Sequence, residues 1–283
     1  MENYEDNPKS IKYHVKRYLL KNKERLNKKI IVDIPAGNGV TSRILKDIGA
    51  VPIAFDLFPE YFNLKDVECK RANVLEQIPM EDKLADFVIC QEGIEHFTDQ
   101  FKSLNEFNRI LKMNGSLIIT TPNYSNLRAK LSYFLTESER FNSIMSPNEI
   151  DSIWMNKQSI TSEVYFGHVF LIGIQKLRVL ACLSGFKIKH IQFTRIKTTS
   201  LFILLISYPF IILSNLITYY KNVNKNKGYD KAYQKNIYKE IFWLNVNPKI
   251  LVDGHLFVEF EKTTDFNKVM GEIKGVHKEF GTT

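Results

Sequence analysis

The chain of 283 residues contains only three cysteines, and they are far apart in the sequence. Cys69, Cys90 and Cys182 lie in largely apolar runs, which argues against disulfides or a zinc site and favours buried thiols in a reducing compartment. The first six residues show neither the basic start nor the apolar run of a secretory signal. We therefore expect a cytoplasmic protein.

Glycine and proline are also scarce, at 13 and 9 residues, and no internal repeat stands out. This composition excludes a collagen-like or largely disordered chain. With 44% hydrophobic and 25% charged residues, the chain is long and apolar enough to bury a large core. The simplest expectation is one elaborated globular domain.

The formal net charge of +8 is concentrated in two clusters of basic residues. One lies within residues 9–29, and the other follows the most apolar segment of the chain, at Lys221, Lys225, Lys227, Lys231, Lys235 and Lys239. Such clusters are typical of a surface that meets an anionic membrane or a phosphate-bearing substrate, and equally of solvated helix faces. Nucleic acid is the less favoured partner, because the basic runs match no nucleic-acid-binding module.

The most informative segment is 29–39, in which an apolar strand ends at Asp33 and is followed by a turn with Gly37 and Gly39. This order lets bare backbone approach a ligand at the carboxyl edge of a parallel sheet. A second apolar run ends at Asp56, at about the interval where nucleotide sites place a ribose-binding acid. No third glycine opens the following helix, which argues against a pyrophosphate-bearing dinucleotide and favours S-adenosylmethionine.

Both segments resemble the first two motifs of class I S-adenosylmethionine-dependent methyltransferases. The first motif reads Asp33-Ile-Pro-Ala-Gly37-Asn-Gly39, and the second reads Ala54-Phe55-Asp56-Leu57-Phe58-Pro59-Glu60. Segments 72–74, 85–96 and 109–123 are similar to the third, fourth and fifth strands of the family with their loops. The clear resemblance covers residues 29–123, and 171–194 and 254–262 resemble the closing helix and the last two strands less specifically.

The resemblance implies an α/β fold with a Rossmann-like, mainly parallel seven-stranded sheet and helices on both faces. Helical insertions would follow strand five, at about 123–167, and separate strands six and seven, at about 195–253. We expect the first insertion to form the lid of the acceptor pocket, because such segments lie over the carboxyl edge of the sheet and this one contains Phe134, Phe141, Trp154, Tyr165 and Phe166. We expect a basic helical extension over 1–28, the methyltransferase domain over 29–262 and a C-terminal tail over 263–283.

The resemblance also implies S-adenosylmethionine as the cofactor. Asp56 would hold its ribose hydroxyls, since a carboxylate accepts hydrogen bonds. The other residues that the motifs imply as cofactor-binding are Asp33, Pro35, Gly37, Gly39, Leu57, Asn73, Val74 and Gln91. The sequence departs from the family pattern at Pro35-Ala36, where an acid or glycine and a Cys are common, and at Asn73, where an Asp is common. The Asn73 amide can still bond an adenine edge.

A base for the acceptor is expected after strand four, where Glu92, Glu95 and His96 follow one another. On a helical turn these three positions share a face. His96 is the best candidate base because an imidazole titrates near neutrality, and Glu92 is the second catalytic candidate. The alternative is that the carboxylates charge the start of the next helix while His96 packs locally.

The same triplet is similar to the E-x-x-E-H motif of methyltransferases that bind a divalent metal to orient acceptor hydroxyls. These include ubiquinone-biosynthesis O-methyltransferases and small-RNA terminal 2′-O-methyltransferases. The likeness implies Mg²⁺, Mn²⁺ or Zn²⁺ on Glu92, Glu95 and His96, with His168 as a fourth ligand. Metal-free relatives carry the triplet too, so both alternatives stay open.

Residues 201–217 are apolar, carry no charge and reach the length of a membrane span. Because the predicted strands on either side belong to one sheet, a single crossing is excluded. Pro209 predicts a break between two short helices. Two interpretations stay open, namely peripheral contact at the inner face of a membrane, and burial in the core or in a homodimer interface.

The leading functional hypothesis is methyl transfer to a hydroxyl, or an amine, of a sugar, a small molecule or a lipid-linked acceptor. It follows from a resemblance to methyltransferases of bacterial surface-polysaccharide synthesis in the whole layout and in three segments, which are Asp56-Leu57-Phe58-Pro59-Glu60, Thr121-Pro122-Asn123 and Gly254-His255-Leu256. One alternative is an RNA 2′-O-methyltransferase, favoured by the basic charge and the triplet at 92–96. The other is a non-catalytic membrane-surface or partner-binding module that retains the fold, for which the departures at Pro35-Ala36 and Asn73 are the only signs.

Overall fold

Seven strands form one sheet in the computed structural model, which describes residues 4–138, 145–153, 165–225 and 227–277. They are β1 (Ile30–Asp33), β2 (Val51–Asp56), β3 (Cys69–Arg71), β4 (Ala85–Gln91), β5 (Leu111–Pro122), β6 (Phe186–Ile191) and β7 (His255–Lys262). Their order in the sheet is β3-β2-β1-β4-β5-β7-β6. The first five strands pair in parallel, and β7 is antiparallel to both β5 and β6. The prediction of a Rossmann-like, mainly parallel seven-stranded sheet is confirmed.

The helices of the described residues cover both faces of this sheet. They are α1 (Ile11–Lys21), α2 (Lys23–Leu26), α3 (Val40–Asp47), α4 (Gln100–Ile110), α5 (Leu127–Thr136), α6 (Glu149–Ser152), α7 (Ile174–Leu183), α8 (Thr198–Val223), α9 (Lys231–Val246), α10 (Pro248–Val252) and α11 (Val269–Gly275). Apolar residues of α1, α2 and α3 form a core on one face, and those of α4, α7, α9 and α10 form a larger core on the other. Strands buried on both faces need apolar side chains at successive positions, which explains the four consecutive apolar residues Phe87–Cys90 of β4.

The basic N-terminal segment packs directly on the sheet. Ile11, Val15 and Leu19 of α1 are buried in the core that α3 shares. The Tyr18 hydroxyl donates to the Glu259 carboxylate of β7 at 2.6 Å, where a guanidinium from α2 also binds. The lysines of α1, which the sequence predicted as part of a basic extension, therefore lie on the outer side of a helix whose inner side belongs to the core.

The helix α8 corrects the prediction of two short helices broken at Pro209. It is one helix of 26 residues with Pro209 inside it. A proline removes one intrahelical hydrogen bond, to the carbonyl four residues earlier, and here Leu205 and Pro209 both lie on the exposed side. Contacts on the inner side hold the helix across the proline, including a 3.0 Å hydrogen bond from the Tyr208 hydroxyl to the Val246 carbonyl.

By length and composition, α8 is the one helix in the described part of the chain that could cross a membrane. A core helix of a soluble protein passes the same test, so the criterion by itself assigns no membrane role. The insertion predicted after β5 contains α5 and α6, and its residues 139–144 and 154–164 lie outside the described residues. Trp154 and Phe141, which the sequence suggested for a lid over the acceptor, are among them.

Candidate active site

A cavity of about 710 Å³ opens at the carboxyl edge of the sheet, beside the ends of β1, β2 and β4. Residues from the loops 34–38, 56–61 and 72–75 line one side, which we call the cofactor wall. Residues 93, 96–98, 165 and 166 line the other side, which we call the acceptor wall. Ligands of open α/β sheets bind in the crevice at this edge, so the cavity is the candidate active site.

Asp56 is the carboxylate of the cofactor wall. Its Oδ2 accepts a hydrogen bond from the Gly37 backbone N–H at 2.7 Å, and its Oδ1 accepts one from the Phe58 N–H at 2.8 Å. A carboxylate offers about four lone-pair positions, so each oxygen can accept another hydrogen bond. The two backbone contacts fix the carboxylate at the cavity, where its remaining positions suit the hydroxyls of a ribose.

Gly37 supplies bare backbone at the same place. Its φ of +53° lies in the left-handed region that favours glycine, and within the described residues a Cβ built on it would meet nothing within 4 Å. The space that a side chain would fill therefore belongs to the cavity. Leu57, Val74 and Pro35 complete the apolar surface of this wall.

Three residues predicted to bind the cofactor lie behind the cofactor wall instead of lining it. Asp33 is fully buried and accepts a 2.6 Å hydrogen bond from the Ser42 hydroxyl at the start of α3. Gly39 lies directly before α3 and is close to the Phe62 ring. The Gln91 side-chain oxygen accepts a hydrogen bond from the Thr41 hydroxyl at 2.9 Å. Their contacts hold the glycine loop and α3 in place, and their part in cofactor binding stays a prediction.

Burial raises the pKa of Asp33 to about 7, and the nearby charge of Asp56 adds to the shift. The hydrogen bonds from Ser42 act in the opposite direction but do not offset the loss of solvation. The chain thus places two carboxyl groups at neighbouring strand ends in different environments. Asp56 borders the cavity, whereas Asp33 is enclosed by protein.

Asn73 lines the cavity and also shapes its own turn. Its Oδ1 accepts from the Leu75 N–H at 3.0 Å, and its Nδ2 donates to Glu76 at 3.3 Å. The oxygen keeps a second lone pair and the amide nitrogen a second hydrogen, so the side chain can still bond a ligand. Its assignment to the adenine edge stays a prediction.

Aromatic residues that the motifs did not single out close the cavity. Phe58 and Tyr61 line the cofactor wall, and Tyr165 and Phe166 line the acceptor wall. The rings of Phe58 and Tyr165 meet edge to face with centroids 4.9 Å apart. The second motif includes Phe58, which directly follows Asp56-Leu57. Nothing in the sequence predicted its contact with Tyr165, which is more than a hundred positions away.

His96 is the titratable group of the acceptor wall. It ends a short 3₁₀ turn, Ile94–His96, and its Nδ1 lies 3.0 Å from the Phe166 carbonyl oxygen and 3.1 Å from that of Gly167. Two acceptors at Nδ1 require the proton there, so in the neutral ring Nε2 is the nitrogen with the lone pair. The His168 ring lies beside it, with centroids 5.0 Å apart.

The two carboxylates of the triplet have other partners. Glu95 is fully buried and accepts from the Thr121 hydroxyl at 2.9 Å, while its Oε1 has no hydrogen-bond partner among the described residues. Glu92 has a φ of +49° and accepts from the Thr120 hydroxyl at 3.2 Å. Burial raises the pKa of both carboxyls, and for Glu92 the charge of Glu95 adds to the shift.

The structure does not support the predicted metal site. A shared helical face requires a regular α-helical turn, but Glu92 has a left-handed backbone conformation and the turn after it is a 3₁₀ turn. In the part of the chain that the structure describes, no group of three His, Cys, Asp or Glu residues lies close enough to hold a metal ion. The set Glu92, Glu95, His96 and His168 is therefore not assembled as a ligand shell.

His255, at the start of β7, is a neighbour of Glu92 that the sequence did not reveal. Its Nε2 lies 3.7 Å from the Glu92 Oε2. Burial lowers the pKa of His255 to about 4, and the charges of Arg195 and Lys197 act in the same direction. The imidazole is neutral near pH 7, so it faces Glu92 as a polar neighbour and not as an ion-pair partner.

A methyltransferase domain family matches residues 32–119, which hold β1 to β4, most of β5 and the loops of the cofactor wall. An uncharacterised protein of Methanocaldococcus jannaschii is 33% identical over 110 residues, covering 38% of this chain and 48% of that protein. An uncharacterised methyltransferase-like protein of Schizosaccharomyces pombe is 32% identical over 94 residues, covering 31% and 36%. The chain thus spans less than half the length of these curated relatives.

Among solved structures, a SAM-dependent methyltransferase from Archaeoglobus fulgidus is similar over 92% of this chain and 98% of its own. Its TM-score is 0.51 at 16% sequence identity, so the likeness shows the fold. The matched part of the chain is thus similar to a methyltransferase domain, and the fold is one that a solved SAM-dependent methyltransferase also has. S-adenosylmethionine is the methyl donor that this likeness implies.

Proposed function

We propose that this protein transfers a methyl group from S-adenosylmethionine to a hydroxyl, or an amine, of a sugar, another small molecule or a lipid-linked acceptor. The observation that carries the proposal is that Asp56 and His96 both line one cavity. A carboxylate suited to a ribose and a nitrogen base suited to an acceptor proton thus border the same space.

The residues of the cofactor wall fit S-adenosylmethionine. Asp56 would hold the ribose hydroxyls, the bare backbone at Gly37 would lie beneath the cofactor, and Asn73 with Val74 would border the adenine. The rest of the lining is mainly apolar or aromatic, which suits an adenine ring, with Asn38, His96 and Thr98 as its polar members. When bound, the cofactor supplies a methyl group already activated by a sulfonium charge.

The part left to the protein is to align the acceptor, exclude water and take one proton. His96 can take it at Nε2, since its Nδ1 proton is held between two backbone carbonyls. The same two contacts fix the ring plane, so the base does not have to be ordered when the acceptor arrives. The rings of Phe58 and Tyr165, which contact each other and line the same cavity, would limit the access of water to a bound acceptor.

Glu92, the second catalytic candidate, has a smaller role in this proposal. Burial and the neighbouring Glu95 raise its pKa, which favours its protonated form and weakens it as a base. Its side chain lies between Thr120 and His255 at the ends of β5 and β7. It is not among the residues that line the cavity, so its catalytic role stays a prediction.

The resemblance to enzymes of surface-polysaccharide synthesis supports a sugar acceptor through sequence alone. One segment behind that resemblance, Thr121-Pro122-Asn123, is structural here, because Asn123 is fully buried and donates to the carbonyls of Ile250 and Asp253 at 2.7 and 2.9 Å. The acceptor class therefore has to be decided by experiment.

The test is methyl transfer from labelled S-adenosylmethionine to a cell extract that is then separated into glycan, lipid, small-molecule, RNA and protein fractions. We expect label in the glycan, lipid or small-molecule fraction with the wild-type chain and a strong loss with His96→Gln. Label in RNA alone would contradict the proposal and favour an RNA 2′-O-methyltransferase. Cofactor binding without transfer to any fraction would contradict it in favour of a non-catalytic module.

A further inference from the structure

The helix α8 presents one continuous apolar face to solvent. Residues three or four positions apart share a helix face, and on α8 the exposed apolar residues follow this spacing. Ile206 is 76% exposed and Leu205 and Phe210 are each 71% exposed, values typical of side chains without a protein neighbour. The face, which we call the α8 face, consists of Phe202, Leu205, Ile206, Phe210, Leu213, Ile217 and Tyr220.

The opposite side of α8 is fixed to the domain. Leu204 is buried with Leu251 and Val252 of α10. Farther along, the Asn245 side chain of α9 donates to the Asn215 side-chain oxygen at 2.8 Å. The helix is about 39 Å long from its 26 residues and lies along the domain surface.

The neighbouring helix α9 argues against insertion of the pair across a bilayer. Its exposed positions include Lys231, Lys235 and Lys239, which recur every four residues and so form a charged stripe. A charged helix cannot enter the hydrocarbon interior beside α8 without a large cost. A helix with one apolar face and a firmly packed other side suits the interface plane of a membrane.

Positive charge lies at both ends of the α8 face. Arg195 and Lys197 precede the helix, and Lys221 and Lys225 lie at its far end. The helix itself contains no acidic residue. Arg128 of α5 also interacts with Lys197, so three cations lie near the start of α8, together with the carboxylate of Asp253.

We propose that the α8 face docks on the surface of an anionic bilayer, with the helix parallel to the membrane. Its apolar side chains would enter the boundary between headgroups and acyl chains, and the cations at both ends would contact lipid phosphates. A second copy of the chain is a poorer occupant. In either orientation, pairing two α8 faces brings cations of one copy to cations of the other, whereas anionic lipids complement them.

The proposal does not require methyl transfer, so it can fail while the proposed function holds. If both hold, docking has a consequence for the acceptor. The segment before α8 pairs Ile196 with Asp253 next to the start of β7, at the carboxyl edge of the sheet where the cavity opens. A docked α8 would then bring that edge towards the bilayer, within reach of a lipid-linked acceptor.

The test is sedimentation of the purified full chain with vesicles of phosphatidylcholine alone or of equal parts phosphatidylcholine and phosphatidylglycerol. We expect pelleting with the anionic vesicles at low salt and a marked loss of pelleting at high salt, because salt screens exposed charges. Lys221→Gln with Lys225→Gln should weaken the partition constant by roughly fivefold for each charge removed.

The decisive variant is Ile206→Asp with Phe210→Asp, which should weaken partitioning by roughly a hundredfold or more. The matched control is Leu20→Asp with Met270→Asp, since both positions are exposed on other helices, at 46% and 57%. Each pair changes the net charge by the same two units. The control should bind vesicles nearly as well as the wild-type chain at the same salt, and thermal unfolding will show that all variants fold.

Three results would overturn the proposal. The wild-type chain could stay in the supernatant with anionic vesicles at low salt. It could pellet equally with neutral vesicles at any salt, which would remove the role of the cations. Or light scattering could show a dimer that Ile206→Asp with Phe210→Asp dissociates, which would assign the face to a second copy of the chain.

Discussion

The two walls of the cavity are built in different ways. The cofactor wall comes from three short loops at successive strand ends, and its key contact joins Asp56 to Gly37, 19 positions apart. The acceptor wall joins distant parts of the chain, since the Phe166 carbonyl that holds His96 is 70 positions away. A short sequence motif can therefore predict the cofactor wall, whereas the acceptor wall depends on contacts between distant residues that only the folded structure shows.

The comparison predicts separate effects on turnover and on cofactor binding, of which loss of the base is the largest. His96→Gln should lower turnover by ~10²- to 10⁴-fold, the usual contribution of a positioned base. Affinity for S-adenosylhomocysteine should hardly change, because His96 lies on the acceptor wall. Steady-state kinetics and calorimetry measure the two quantities, with His190→Gln on the exposed edge strand as the control.

Equal turnover in His96→Gln would mean that His96 has a packing role only. A parallel loss of turnover and cofactor affinity would mean that the two walls do not act separately.

Asp33 tests whether an acid behind the cofactor wall differs from one that lines it. Burial raises its folded pKa to about 7 from the ordinary 3.8, so the folded state holds the proton more tightly than the unfolded state. The stability that this contributes is fully present below the unfolded pKa and is lost as pH rises towards 7. Relative to Asp33→Asn, the wild-type free energy of unfolding should fall by about 3 kcal/mol between pH 4 and 7.

Urea unfolding of both cofactor-free proteins across this pH range measures the difference. Parallel curves for wild type and variant would contradict the buried, protonated state of Asp33.

Asp56→Ala tests the cofactor wall itself. Loss of a hydrogen bond to a charged group should cost roughly 1.5 to 3 kcal/mol, or about ten- to a hundredfold in cofactor affinity. Asp66→Ala is a matched control, because Asp66 is an exposed acid in a nearby loop whose carboxylate pairs with Lys46. Asp56→Asn keeps the side-chain shape and guards against a folding defect in the alanine variant. Unchanged affinity in both Asp56 variants, measured by calorimetry, would place the ribose contact elsewhere.

The smallest expected effect is a loss of stability from a substitution at Gly93, where residues of the two walls are in contact. A Cβ on Gly93 would come within 2.4 Å of the Pro35 Cδ and 3.1 Å of the Cys90 sulfur. Gly93→Ala should destabilise the fold by roughly 1 to 3 kcal/mol, the usual cost of overpacking. Gly271→Ala is the control, since a Cβ there meets nothing within 4 Å of the described residues. A thermal midpoint for Gly93→Ala equal to that of the control would show that the loops can move apart freely.

The sequence was sufficient for the sheet and for much of the cofactor wall. Apolar runs ending in Asp33 and Asp56 predict neighbouring strand ends, and both strands pair in the sheet as expected. The sequence could not distinguish the two acids, because only the folded chain shows that Asp33 is enclosed. The docking of His255 beside Glu92 was equally hidden, since β7 reaches that edge from the far end of the chain.

Two predictions of local structure were wrong. The shared face at 92–96 assumed helical spacing, but Glu92 adopts a left-handed backbone conformation and the next turn is 3₁₀. The break at Pro209 assumed that a proline ends a helix, but packing of α8 along its inner side outweighs one lost hydrogen bond. Tertiary contacts determined both backbone conformations, and the nearby sequence does not show those contacts.

The central claim is that one cavity holds the cofactor against Asp56 and presents the acceptor to His96. The most direct measurement is a crystal structure of the protein with bound S-adenosylhomocysteine. We expect the ribose hydroxyls of the cofactor to lie within hydrogen-bond distance of the Asp56 carboxylate, and the cofactor sulfur to be directed towards His96. A cofactor bound with its ribose away from Asp56, or with its sulfur on the side opposite His96, would contradict it.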